Sequence, residues 1–328
     1  VLDEYFGLAV DLLSDMLFDS KFEEKDIDRE RNVIIEEIKM YEDAPDELVH
    51  DIFASSMWQG HALGRPIIGT AEVIANLSRD KILDFYNTYY NPARMVVSVA
   101  GNISDEKVIS TLRPVFETRK GGDLARNMTV PTPRREITCR SKDTEQVHLC
   151  VGTPGLSLDH EKIYVFQLIN TILGGGLSSR LFQEIREQRG LVYSVYSYHS
   201  SYHDTGLFAI YAGLSKENVN LVLDLITSEL GKIRTEGIRE EELRRAKDQL
   251  KGNFLLSLES VNARMSRLGK SEMYLGKVIP PEEVVQRIED VTPEQVRSLA
   301  DAMFRADRLA MATVGSWCDV TAWRQAIS

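Results

Sequence analysis

The 328 residues carry 39 Lys and Arg against 50 Asp and Glu, a formal net charge of −11, with 43% apolar and 27% charged residues. So acidic a chain is unsuited to the phosphates of a nucleic acid and suits a basic or polar ligand. Its uncharged runs, such as residues 163–179, are too short and too interrupted by Gly174, Gly175 and Gly176 to span a bilayer.

The length suits two domains, and the elements are legible in chain order. Residues 1–18 show a helical apolar stripe (Leu2, Phe6, Ala9, Val10, Leu13, Leu17) that is already mid-pattern at Val1. An N-terminally truncated chain with no targeting segment is expected. Residues 26–41 predict a second helix, in which Glu30 and Glu37 fall in the gap between an apolar row of Ile27, Ile34, Ile38 and Tyr41 and a second row of Val33 and Met40. Two ionised carboxylates stacked on a core-facing stripe imply a compensating cation, either a metal ion or a buried arginine. Glu47-x-x-His50 has the spacing of half a di-iron site, but no second copy exists and a helix-surface pair is expected. Ser78 opens a further helix, followed by an apolar strand closed by Gly101, and residues 118–135, rich in Gly, Pro and charge, read as a linker.

Beyond the linker the pattern recurs. Placing Ser78 on Thr292 superposes Leu77 on Val291, Ile82 on Val296, Phe85 on Leu299, Arg94 on Arg308 and Gly101 on Gly315 at one constant offset. LAVDLLSDML (8–17) also resembles LVLDLITSEL (221–230), so the chain holds two copies of a helix-rich α/β unit. The second copy opens with alternation over 145–152 and predicts a hairpin over 192–214 that turns near 203–206. A small slide of the register sets Ala246 opposite Glu30 and Asn253 opposite Glu37. The acidic pair is absent from the second copy, which favours a single site built in the first.

Other candidates are weaker. The loop at Gly174, Gly175 and Gly176 lacks the lysine of a phosphate-binding loop and is expected to be a flexible lid or chain-binding loop. Arg186, with Glu184 and Glu187 nearby, reads by default as a surface ion pair, and Tyr193 as a core aromatic. None of the six histidines, His50, His61, His148, His160, His199 and His203, is assigned to a metal. Cys139, Cys150 and Cys318 are odd in number and lack CxxC spacing, predicting neither a disulfide framework nor a thiolate zinc site, and a reducing compartment.

The segment Glu30-Arg31-Asn32-Val33-Ile34-Ile35-Glu36-Glu37 resembles the E-R-x-V-I-x-x-E helix of the pitrilysin-type (M16) zinc peptidases, in the branch that includes mitochondrial processing peptidase. ILGGGLSSRLFQEIREQRGLVYSV (172–195) resembles that family's glycine-rich loop, helix and strand. The resemblance implies that Glu37 is a zinc ligand, that Glu30 is the carboxylate supporting the catalytic site, and that Arg186 and Tyr193 hold the substrate backbone. It implies an α+β fold of two homologous domains, each a mostly antiparallel sheet covered by helices on one face, forming a clamshell cavity. The expected division is 1–117 for the zinc-site domain, 118–135 for the linker and 136–328 for the substrate-binding domain. One Zn2+ per full-length chain, a peptide or presequence substrate, a homodimer and a cytoplasmic location (the mitochondrial matrix in a eukaryote) are expected on the same ground. The family's H-x-x-E-H segment is absent from these residues and is expected before Val1. The 328 residues alone would then lack two zinc ligands and the general base, and be inactive. The rival expectation is a non-catalytic family member acting as scaffold or peptide-binding subunit.

Overall fold

The computed structural model describes residues 1–117, 129–319 and 321. It is α+β, with two compact units formed from discontinuous stretches of chain.

The larger unit comprises Lys39–Ile67, Thr129–Leu255 and Ile279–Ser328 and is organised on one sheet. Its strands are β1 (Ile137–Ser141), β2 (Val147–Gly155), β3 (Val192–Ser201), β4 (Gly206–Leu214) and β5 (Ala310–Gly315). They lie in the order β1-β5-β2-β4-β3, and only β1 and β5 run parallel. The sheet is thus mostly antiparallel, and β3–β4 is the hairpin the sequence predicts. β4 is buried along its whole length. Its alternate residues divide between two cores, because successive strand side chains point to opposite faces. Phe208, Ile210, Ala212 and Leu214 join the apolar faces of the helices Ile163–Gly174, Val219–Thr235 and Pro293–Met303. Leu207, Ala209 and Tyr211 face the helix Pro45–Met57, which contributes Leu48, Val49, Phe53 and Met57 and is followed by Trp58. A sheet covered on both faces corrects the expectation of one covered face. Gly152 permits the close approach, since a Cβ there would lie 2.8 Å from the Phe53 ring and 2.1 Å from the Phe208 carbonyl oxygen.

The smaller unit comprises Val1–Ile38, Ile68–Met128 and Leu256–Val278. These are contact groupings rather than stretches of sequence such as the expected 1–117 and 136–328: Pro45–Met57 groups with the sheet it covers. Of the expected linker, 118–128 lies outside the described residues, while Arg134 N–H donates to the Met57 carbonyl at 2.8 Å. Within the smaller unit the helices Phe6–Phe18 and Arg79–Tyr89 are tied by Tyr86 Oη donating to Leu17 O at 2.5 Å, and Phe18 meets Phe116 edge-on at 5.6 Å. Phe6 and Val10 are buried as the stripe predicts, but Leu2 and Leu13 are exposed.

The repeat is visible in matching caps. Ser78 accepts from Lys81 N–H, and Thr292 accepts from Gln295 N–H in a capping box. Short 3-10 turns follow at Pro92–Arg94 and Ala306–Arg308. The copies then diverge. Ala310–Gly315 becomes β5 between β1 and β2, whereas residues 95–100 find no ladder partner among the described residues. The second sheet expected in the first copy is therefore not formed there, since a strand needs a neighbour for its backbone hydrogen bonds.

Cys139 and Cys318 form a disulfide, correcting the expectation of none, and Cys150 is a free, buried thiol. Among the described residues no helix is long and apolar enough to cross a membrane.

Phe53 is fully buried, so Phe53→Ala should cost about 3–5 kcal/mol of stability, read from the shift in urea unfolding. A loss under about 1 kcal/mol would refute the packing of Pro45–Met57 on the sheet.

Candidate peptide-binding site

Glu30 and Glu37 lie on the helix Glu24–Asp43 and both are exposed. Ile38 is buried and Ile27, Ile34 and Tyr41 are partly buried, but Val33 and Met40 are 45% and 70% exposed. The second apolar row that would have enclosed the glutamates faces solvent. This corrects the expectation of a core-facing acidic pair: hydration suffices, and the argument for a compensating cation lapses. Of the two arginines flanking Glu30, Arg29 pairs with Asp26 at 3.5 Å, and Arg31 pairs with Asp28 and donates from Nη2 to the Leu77 carbonyl at 2.9 Å.

Among the described residues no three His, Cys, Asp or Glu side chains are placed to hold a metal ion. Glu37 offers one carboxylate, whereas a catalytic zinc takes three protein ligands. The described residues do not fit a complete zinc site.

Arg186 and Tyr193 are brought together. Arg186 lies in a π-helical turn, Phe182–Glu187, a backbone irregularity frequent at functional sites. Its guanidinium carbon stands 5.0 Å from the Phe182 ring centroid and 5.9 Å from that of Tyr193, within range of cation–π attraction. Gly190, at φ +62°, turns the chain back towards β3. There the pairing skips from Val192↔Leu214 to Ser194↔Gly213, leaving Tyr193 as the extra residue of a bulge. Bulges re-aim side chains, and Tyr193 is 75% exposed on the edge strand. Neither default reading holds. Tyr193 is no core aromatic, and Glu184 accepts from Arg189. The pair presents a planar set of N–H donors beside a phenol, a combination able to hold a peptide carbonyl.

Sequence reading missed a second cluster. His50, expected on a helix surface, has Nδ1 2.7 Å from Tyr198 Oη and Nε2 3.2 Å from Tyr196 Oη, with Cys150 Sγ 3.5 Å from Nδ1. His148 Nδ1 is 2.9 Å from Tyr211 Oη. The available signal was the alternation of Tyr196 and Tyr198 on one strand face; the contact with a helix about 150 positions earlier had none. Burial lowers the pKa of both imidazoles and raises those of Cys150 and Tyr198, so the cluster is neutral at pH 7. A histidine held neutral by the fold but free to protonate once unfolded loses stability as pH falls from the unfolded value near 6.5. The urea midpoint should therefore drop between pH 7.5 and 5.5. His50→Phe should make that drop shallower, and an unchanged slope would remove His50 as a contributor.

Comparison with known proteins bears on the whole chain. Residues 76–250 match the family described as Peptidase M16 inactive domain, and residues 1–71 match Insulinase (Peptidase family M16). A Bacillus subtilis protein named an uncharacterized zinc protease is 44% identical over 307 residues, covering 94% of this chain and 75% of that protein. The crystal structure of a peptidase M16 inactive domain from Pseudomonas fluorescens aligns with TM-score 0.83 at 21% identity, covering 94% of this chain and 75% of that one. A protease from Helicobacter pylori aligns with TM-score 0.87 at 20% identity, covering 95% and 77%. On the sequence matches, with the fold in agreement, this chain belongs to the M16 peptidase family.

Proposed function

We propose that this chain serves a zinc-dependent endopeptidase that takes extended peptides, presequences among them, and that Arg186 and Tyr193 hold the substrate backbone. The observation carrying this reading is the juxtaposition of those two side chains at two backbone irregularities, both turned to solvent. Fixing a carbonyl between a guanidinium and a phenol orients the scissile bond, and orientation lowers the barrier to attack. Glu37 is assigned as one zinc ligand and Glu30 as its supporting carboxylate, on the resemblance of the 30–37 segment. The metal would supply Lewis-acid activation of water, with further ligands that the described residues do not bring together. A homodimer belongs to the same reading.

One observation favours a non-catalytic alternative: the match over 76–250, which contains both Arg186 and Tyr193, is to an inactive domain. Such a member would bind peptide without turnover.

The intact gene product separates the two. Purified protein should hydrolyse a quenched fluorescent peptide and lose the activity to a chelator; binding without turnover would establish the alternative. Tyr193→Phe and Arg186→Lys should lower kcat/KM by roughly 10- to 100-fold, as expected for losing a hydrogen bond to a charged or polarised group. Both positions are exposed, so thermal stability should not change. Zinc content should fall in Glu37→Gln, and equal zinc in variant and wild type would remove Glu37 from the ligand set.

A further inference from the structure

Behind the glycine-rich loop the larger unit contains a cavity of about 470 Å³, within the range of ligand pockets. Its charged lining is mostly cationic. Arg180, Arg239 and Arg245 line it with Glu242 as the one acidic residue, in a chain whose net charge is −11. Glu242 is already neutralised. Arg180 donates to it from Nε and Nη2, each at 2.7 Å, and from Nη2 to the Gly237 carbonyl at 3.1 Å. That pair is a fixed wall, leaving Arg239 and Arg245, both exposed, as the cationic lining beside it. Arg245 has a long surface contact to Glu241 at 3.6 Å.

A second observation points to a ligand. Ser179 lines this cavity and is 3% exposed, and its hydroxyl is buried with no hydrogen-bond partner. An orphaned buried hydroxyl is costly unless something completes it. An adjoining cavity of about 360 Å³ shares Arg180, Arg239 and Glu242 but adds Glu184, Glu229 and Glu236 with a single Lys232. Its lining sets four glutamates against three cations, which suits an anion less well than the first space.

We propose that the Ser179–Arg239–Arg245 cavity is a carboxylate-binding subsite that takes the C-terminal carboxylate of a bound peptide. Guanidinium groups match a carboxylate in charge and planar geometry, and the serine hydroxyl supplies one more donor. The cavity is far larger than a carboxylate needs, which suits a carboxylate still attached to a terminal residue. The same segment that contributes Ser179, Arg180 and Gln183 to the wall continues into Arg186. The loop beside it is held by Gln249 Nε2 donating to the Gly175 carbonyl at 3.0 Å. The proposal rests on the peptide-binding reading of Arg186 and Tyr193 and assigns the chain end to this cavity.

The test measures binding of three peptides of one sequence to the intact gene product by fluorescence anisotropy: the free acid, its C-terminal amide, and the amide with an internal aspartate. The free acid should bind about tenfold tighter than the amide. That preference should vanish in the Arg239→Gln/Arg245→Gln double variant and shrink in Ser179→Ala, while the amide binds all three proteins alike. Tyr193→Phe should instead weaken every peptide equally, so the two readings fail separately. Equal binding of acid and amide overturns the subsite and leaves peptide binding standing, and a preference for the internal aspartate overturns the assignment to a chain end. If no peptide binds, N-acetylglutamate serves as probe. A thermal shift in wild type but not in the double variant keeps the carboxylate site and removes the peptide reading, and no shift overturns both.

Discussion

The β2–β4 ladder, from Val147↔Leu214 to Gly155↔Gly206, is the constraint on which the larger unit depends. Both strands are buried, and with both faces of β4 covered every residue must fit one of two cores. The face against Ile163–Gly174, Val219–Thr235 and Pro293–Met303 takes Phe208 and Ile210, while the face against Pro45–Met57 sets Ala209, Ala310 and Ala312 beside Leu207 and Tyr211. Small side chains there let a helix carrying Phe53, Met57 and Trp58 come close. A one-residue slip would exchange the two sets and drive Phe208 and Ile210 towards the helix that now packs against Ala209.

That rigid centre leaves the sheet edge free to carry function. Where β3 leaves its regular ladder, at Tyr193, and where the preceding helix widens into a π turn, at Arg186, polar groups turn outwards. The central strands commit their side chains to packing, so under the function proposed above substrate recognition falls to the edge and to the segment 172–193 that leads into it. The Arg180–Glu242 pair belongs to the same economy of position. It closes the space behind the loop with a hydrogen-bonded ion pair in which each charge has its partner, which makes partial burial tolerable.

Structures described as an inactive domain and as a protease match this chain with nearly equal TM-scores. The M16 fold alone therefore does not decide catalysis, in keeping with the general separation of fold from chemistry. What decides it is whether particular side chains complete a metal site. Glu37 lies on an exposed helix face, and its exposure removes the need for a counter-ion that a buried carboxylate would have had.

Helix spacing, the matching caps at Ser78 and Thr292 and the β3–β4 hairpin were legible in the 328 residues, because each is a local pattern of apolar period or capping chemistry. The spacing of Arg186 and Tyr193 could be matched to a family motif for the same reason. Local pattern could not say that Glu30 and Glu37 face solvent, because that depends on which apolar row finds a partner, and Val33 and Met40 found none. Nor could it reveal that residues 95–100 lack the ladder their copy acquires, that His50 meets Tyr198, or that Cys139 meets Cys318. Each of these is a contact between distant segments, and it exists only once packing of the whole unit has brought them within a few ångströms of one another.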